Sequence, residues 1–155
     1  PACRSSSFPP VLAESRKPIP TRDGRRKGSE ERRLYSCEEM RFGAFTFGSI
    51  EVDGKTYEHD LVVDRGRVRK RRKGPSKPFR PQYGHTPLSV AEDIPWDCRR
   101  LVVGSGANGA LPVMPDVAEE ADRRGVQLVV LQTSQAIEEL GRGQHDTNAI
   151  LHVTC

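Results

Sequence analysis

At 155 residues, 35% hydrophobic and 30% charged, the chain is long enough for one domain with a short appendage and too polar to be packed from end to end. Its net charge of +4 permits nucleic acid or acidic lipid as a partner but demands neither, because 21 acidic residues nearly offset 25 basic ones. No apolar run approaches the roughly 20 residues of a membrane-spanning helix, and four scattered cysteines (Cys3, Cys37, Cys98, Cys155) without a CxxC pair argue against a zinc or disulfide framework and for reduced thiols in a cytoplasmic protein.

Residues 1–40 read as a flexible basic arm. Ser5-Ser6-Ser7, scattered prolines and Arg25-Arg26-Lys27-Gly28 supply charge and turn formers without an apolar period. Ordering such a stretch costs about 1–2 kcal/mol of backbone entropy per residue, which its few apolar groups do not offset. Val11-Leu12-Ala13 is too short for a signal-peptide core, and Glu14, Asp23, Glu30 and Glu31 argue against a transit peptide.

From residue 41 the character changes. Phe45, Phe47, Ile50 and Val52 are β formers, and Asp53-Gly54 is a two-residue hairpin signal. The return strand holds Thr56 and Tyr57 and then Leu61-Val62-Val63; after Asp64-Arg65-Gly66 a short strand follows through Arg67-Val68-Arg69. This predicts a three-stranded antiparallel meander. Gly74 to Pro87, rich in Pro and Gly, predicts a long surface loop.

Leu101-Val102-Val103 is then a buried strand that runs into a glycine loop. Pro115 to Arg124 reads as a helix, with Pro115 in its first position and Gly125 as its stop. Val126 to Leu131 is a second apolar strand, a helix capped by Thr133 or Ser134 carries Ala136, Ile137 and Leu140 to a halt at Gly141, and Ala149 to Val153 is the last strand. Uninterrupted apolar strands imply a sheet covered by helices on both faces. The predicted class is α/β: a βαβαβ half, with the antiparallel meander packing on its sheet or extending it, over residues 41–155.

One series of motifs has a recognisable order: Phe47-Gly48-Ser49-Ile50 with Val52-Asp53-Gly54, His85-Thr86-Pro87, Leu101-Val102-Val103-Gly104-Ser105-Gly106, Leu131-Gln132-Thr133 with Gln135-Ala136, and His152-Val153-Thr154-Cys155. It resembles the Mth-domain family, whose members include an adipogenesis-associated Mth-domain-containing protein and a mitochondrial complex I assembly factor, and the likeness spans residues 42–155. The resemblance implies a small three-layer α/β fold with a mixed sheet and no catalytic mechanism. Where relatives carry an aromatic and an Asn after the last helix's apolar residues, this chain reads Leu140-Gly141-Arg142-Gly143, so a role tied to that aromatic does not carry over.

The residues with chemistry fall into two groups. The first is a candidate pocket of Gly104, Ser105, Gly106, Thr133, His152 and Cys155. Gly104 to Gly109 fits G-x-G-x-x-G after a buried strand, as a dinucleotide fingerprint should. However, Leu111 to Met114 separates it from the next helix, and the following strand ends at Leu131-Gln132-Thr133 without an acid for the ribose. A structural turn is therefore expected, with anion binding by loop N–H groups as the alternative. A His near a Cys suits a nucleophile or redox thiol, but the sequence places no acidic group to orient His152 and the end carboxylate of Cys155 disfavours the thiolate, so a satisfied His and a small apolar Cys are expected. His85 is a second candidate ligand or acid/base, and Trp96 is expected to anchor its loop. The second group is a candidate basic surface of Arg67, Arg69, Lys70, Arg71, Arg72 and Lys73. Alternation within it suits a solvated strand edge, on which charge reversal of Arg69, Arg71 and Arg72 leaves the fold intact.

The leading reading is a non-enzymatic protein-interaction or assembly factor without cofactor or metal. An alternative is a small-molecule or anion-binding protein, or an enzyme, built on the glycine loop, Thr133 and His152. A third is binding to nucleic acid or a membrane surface through the basic run, which lacks interleaved aromatics.

Overall fold

Two glycine turns shape the first half of the domain in a computed structural model that describes residues 39–155. The arm expected over residues 1–40 lies outside the described residues except for its last two, and of those Met40 is already part of the core. Strands β1 (Phe42–Thr46), β2 (Ser49–Val52) and β3 (Lys55–Tyr57) form an antiparallel sheet in that order. Asp53 and Gly54 both have positive φ, as the tight hairpin between β2 and β3 requires, and Arg65-Gly66 repeats this between β4 (Leu61–Asp64) and β5 (Arg67–Lys70).

The expected meander is present, but the return strand is broken. β3 stays with β1 and β2, whereas β4 and β5 join a five-stranded sheet of order β5-β4-β8-β6-β7. The remaining strands there are β6 (Arg100–Ser105), β7 (Gln127–Leu131) and β8 (Thr147–His152). β6 runs parallel to both β7 and β8, and β4 pairs antiparallel with β8, so the sheet is mixed. The break has a visible cause: Leu61, Val62 and Val63 are all buried, as a strand covered on both faces must be, while Lys55 and Thr56 are exposed.

Helices cover the five-stranded sheet from both sides. Helix α2 (Pro115–Arg124) sets Val117 and Ala121 against Val62, Leu101, Val103 and Ile150. Helix α3 (Thr133–Arg142) sets Ala136 and Leu140 against Leu61, Val63, Val102, Ala149 and Leu151, and Ile50 and Val52 of the small sheet pack on this same face. Each such Leu, Ile or Val contributes about 1.5–3 kcal/mol by leaving water. The result is a three-layer α/β domain.

Two local expectations change. Gly74 to Pro87 is not plain loop: a 3-10 turn, Gly74–Phe79, leads into a short helix α1 (Arg80–Tyr83), and Ser76 is buried. Helix α3 begins at Thr133 with Gln132 as its cap and continues to Arg142. The Thr133 hydroxyl serves the sheet instead of capping the helix, as described next.

Candidate functional site

The carboxyl ends of the parallel strands β6 and β8 lie side by side, with Ser105 opposite His152. Open α/β sheets place ligand crevices at such ends. Here the crevice is occupied by Thr154 and Cys155 of the same chain. The Thr133 hydroxyl donates to His152 O at 2.6 Å and accepts from Gly106 N at 2.9 Å, which ties α3, β6 and β8 together. Ser105 Oγ donates to Leu131 O at 2.8 Å.

Glycine is required at two of these positions for close approach. A Cβ on Gly104 would stand 2.8 Å from Thr133 Oγ1, and one on Gly106 would stand 1.7 Å from Cys155 O. The loop's amides turn inward as well: Ala107 N donates to Thr154 O, Gly109 N to Gly106 O and Leu111 N to Ser105 O. All six residues of the sequence-derived pocket thus meet, around a seam between chain segments.

His152 is where chemistry collects. Its Nδ1 lies 2.8 Å from Asp60 Oδ2, and Asp60 Oδ1 accepts from Val153 N at 3.2 Å. Asp60 is buried, and burial alone would disfavour its charge. Hydrogen bonds from His152 and Lys73 outweigh that and hold its carboxyl well below the usual carboxylate range. An ionised Asp60 only accepts, so the proton shared with His152 belongs to Nδ1, and Nε2 is left toward Thr154 and Cys155. Cys155 Sγ lies 3.5 Å from that Nε2, Thr154 Oγ1 3.1 Å from it, and His85 Nδ1 3.7 Å from the sulfur. The sequence held no pointer to Asp60, which stands 92 positions before His152 in the break between the two sheets.

The basic run divides in two. Arg71 is not on the surface. It is buried in a fork with Glu92 at 2.7 and 2.8 Å, reaches Asp60 Oδ2 at 3.4 Å and donates to Pro87 O at 3.0 Å. Ser76 Oγ meets Glu92 Oε1 at 2.6 Å and Ser89 Oγ at 2.8 Å, which fastens the 3-10 turn to the same network. The inward turn follows from register: Arg71 is the first residue past β5, and its amide donates to Asp60 O, drawing it inward. Lys73 Nζ is 2.9 Å from Asp60 Oδ2, and Arg69 pairs with Asp93 at 3.1 Å. Arg67, Lys70 and Arg72 are exposed.

Elsewhere, Trp96 packs half-buried on the α2 face with the Arg124 guanidinium 5.5 Å from its ring centroid. An open depression of about 1350 Å³ runs beside Met40, Phe42, Glu51, Asp53, Ile137 and Gln144, away from the candidate pocket.

Residues 42–141 match the family described as "Protein of unknown function (DUF498/DUF598)". The chain belongs to that family. The matched stretch holds Gly104 to Gly106 and Thr133 and stops before His152 and Cys155. Among solved structures, the conserved hypothetical protein PH1505 of Pyrococcus horikoshii OT3 is 26% identical, with a TM-score of 0.60 over 75% of this chain and 100% of its own. A second, MT938, is 27% identical, with a TM-score of 0.59 over 75% of this chain and 99% of its own. A Mth938-like domain from Bordetella pertussis, solved in solution, shares the fold at 18% identity, with a TM-score of 0.50 over 74% of this chain and 85% of its own. The architecture is therefore that of the Mth938-like α/β domains. No helix among the described residues is long and apolar enough to cross a membrane.

Proposed function

We propose that the chain is a cytoplasmic, non-enzymatic protein-interaction module of the assembly-factor kind, with β7 as its docking edge. One observation carries this reading. Among the described residues the five-stranded sheet ends on one side at β5, where Arg67 and Lys70 stand in water, and on the other at β7, which reads Gln-Leu-Val-Val-Leu without a charge and leaves Val130 44% exposed. Natural sheets blunt free edges with charge, proline or bulges. β5 is blunted in this way and β7 is not. An unblunted edge suits an extended segment of another protein added as a sixth strand, with main-chain hydrogen bonds giving affinity and alternate side chains giving selectivity. Resemblance to a family with an assembly factor among its members supports the same reading.

Two findings weigh against the competing readings. The amides of Gly106, Ala107, Gly109 and Leu111 already donate within the chain, which leaves little for a bound anion. Arg69, Arg71 and Lys73 are paired with acids of the domain, which thins the field a nucleic acid would feel. The test is affinity purification with the full chain, followed by amide exchange on the complex obtained. The co-purified protein should slow exchange in Gln127–Leu131, and Val130→Lys should abolish co-purification while leaving the melting temperature unchanged. Co-purification that survives Val130→Lys, with no added protection in β7, overturns the proposal.

A further inference from the structure

Independently of the docking edge, the Asp60–His152–Cys155 line resembles an activated-thiol site. We infer that Cys155 is a modification site at which a low-molecular-weight disulfide transfers one of its thiol halves to the protein, with His152 drawing the proton from Sγ and Asp60 positioning His152. Three elements converge to build it: the β3–β4 break supplies Asp60, the end of β8 supplies His152, and the tail folded over the glycine loop supplies Cys155. Nucleophile, base and orienting carboxylate stand in the relation that thiol nucleophiles require. The carboxylate is fixed from several sides, by Val153 N on one oxygen and by His152, Lys73 and Arg71 on the other. His85 brings a second imidazole to the same sulfur, and Cys155 itself is half-exposed.

The surroundings also select the reaction class. Acyl transfer passes through a tetrahedral oxyanion that needs aimed N–H donors, and the amides of Gly106, Ala107, Gly109 and Leu111 beside the tail already donate within the chain. Exchange at sulfur forms no such intermediate. The Sγ proton moves to His152 Nε2, with Thr154 Oγ1 at 3.1 Å as the neighbour that can accept from it there. The thiolate attacks one sulfur of the incoming disulfide, a new S–S bond to Cys155 forms as the old one breaks, and the departing thiolate takes the proton back from His152. Disulfide count, atoms and charge are conserved. Cys98 is the internal contrast. It donates to Pro95 O, and burial pushes its thiol up, away from the reactive form.

The full chain, reduced and desalted, is treated near neutral pH with dithiobis-nitrobenzoate to follow the rate, and with glutathione disulfide to map the adduct by mass spectrometry. We expect Cys155 to react about tenfold or more faster in the native chain than in the same chain unfolded in urea. Cys155→Ser should remove the fast phase, Cys98→Ser should keep it, and His152→Gln should return Cys155 to the unfolded-chain rate. A native Cys155 no faster than the unfolded one overturns the inference, and so does a folded His152→Gln variant that keeps the fast phase. If that variant fails to fold, the native-against-unfolded comparison decides alone.

Discussion

Asp60 joins the basic run to the end of β8 in one buried polar cluster. Its carboxylate receives His152, Lys73, Arg71 and the Val153 amide, and its own carbonyl receives the Arg71 amide. Because its folded-state pKa is depressed from the ordinary 3.8, the unfolded chain takes up a proton at Asp60 before the folded chain does as acid is added. The stabilisation is therefore complete above the ordinary value and is lost as pH falls through it toward the lower, folded-state value. We expect the urea midpoint to fall between about pH 5 and pH 2, and Asp60→Asn to flatten that fall. An acid profile that Asp60→Asn leaves unchanged would assign the loss to other carboxylates.

At the scale of elements, the glycines of the β6 loop and of α3 predict opposite outcomes from one kind of substitution. Gly106 has φ +101°, and a Cβ there would meet the backbone oxygens of Cys155 and Thr154 at 1.7 and 2.4 Å. Backbone cannot yield as a flexible side chain can, so Gly106→Ala should cost on the order of 3 kcal/mol and lift the tail from the loop. Gly141 lies inside α3 with open space where its Cβ would be, so Gly141→Ala should stabilise by up to about 1 kcal/mol. Thermal unfolding of the two variants measures both signs. The α2 boundaries were legible in the sequence because Pro115 and Gly125 act locally, and Gly125 does take the left-handed cap conformation. The start of α3 was less legible, because the Thr133 hydroxyl is claimed by Gly106 and His152, which lie far away in sequence.

For the molecule as a whole, the two sides of the basic run behave as different materials. Reversing exposed Arg67, Lys70 and Arg72 to Glu should leave the fold intact, as single surface charges contribute little. The set Arg69, Arg71 and Arg72 should not be tolerated, because a Glu at position 71 would face Glu92 and Asp60 in the interior; breaking such a buried pair costs about 3–5 kcal/mol. Circular dichroism of the two triple variants separates these outcomes. Binding of the wild type to nonspecific duplex DNA should stay within roughly 10⁻⁴ to 10⁻⁶ M at physiological salt. Much tighter, salt-sensitive binding would favour a nucleic-acid role over the docking edge at β7.

By itself the sequence determined the α/β class, the βαβαβ half, the X-Gly hairpins and the faces α2 and α3 would bury, because periodicity and turn chemistry are local properties of a chain. It also singled out Gly104–Gly106, Thr133, His152 and Cys155, which the fold brings together. Only the tertiary structure decided that β3 and β4 part into separate sheets, that Arg71 turns inward to Glu92, and that Asp60 stands behind His152. The first follows from an apolar strand buried on both faces, and the last two rest on buried charge, whose burial is tolerable only beside a partner of opposite sign or a proton donor. Those partners are 21 and 92 residues distant along the chain.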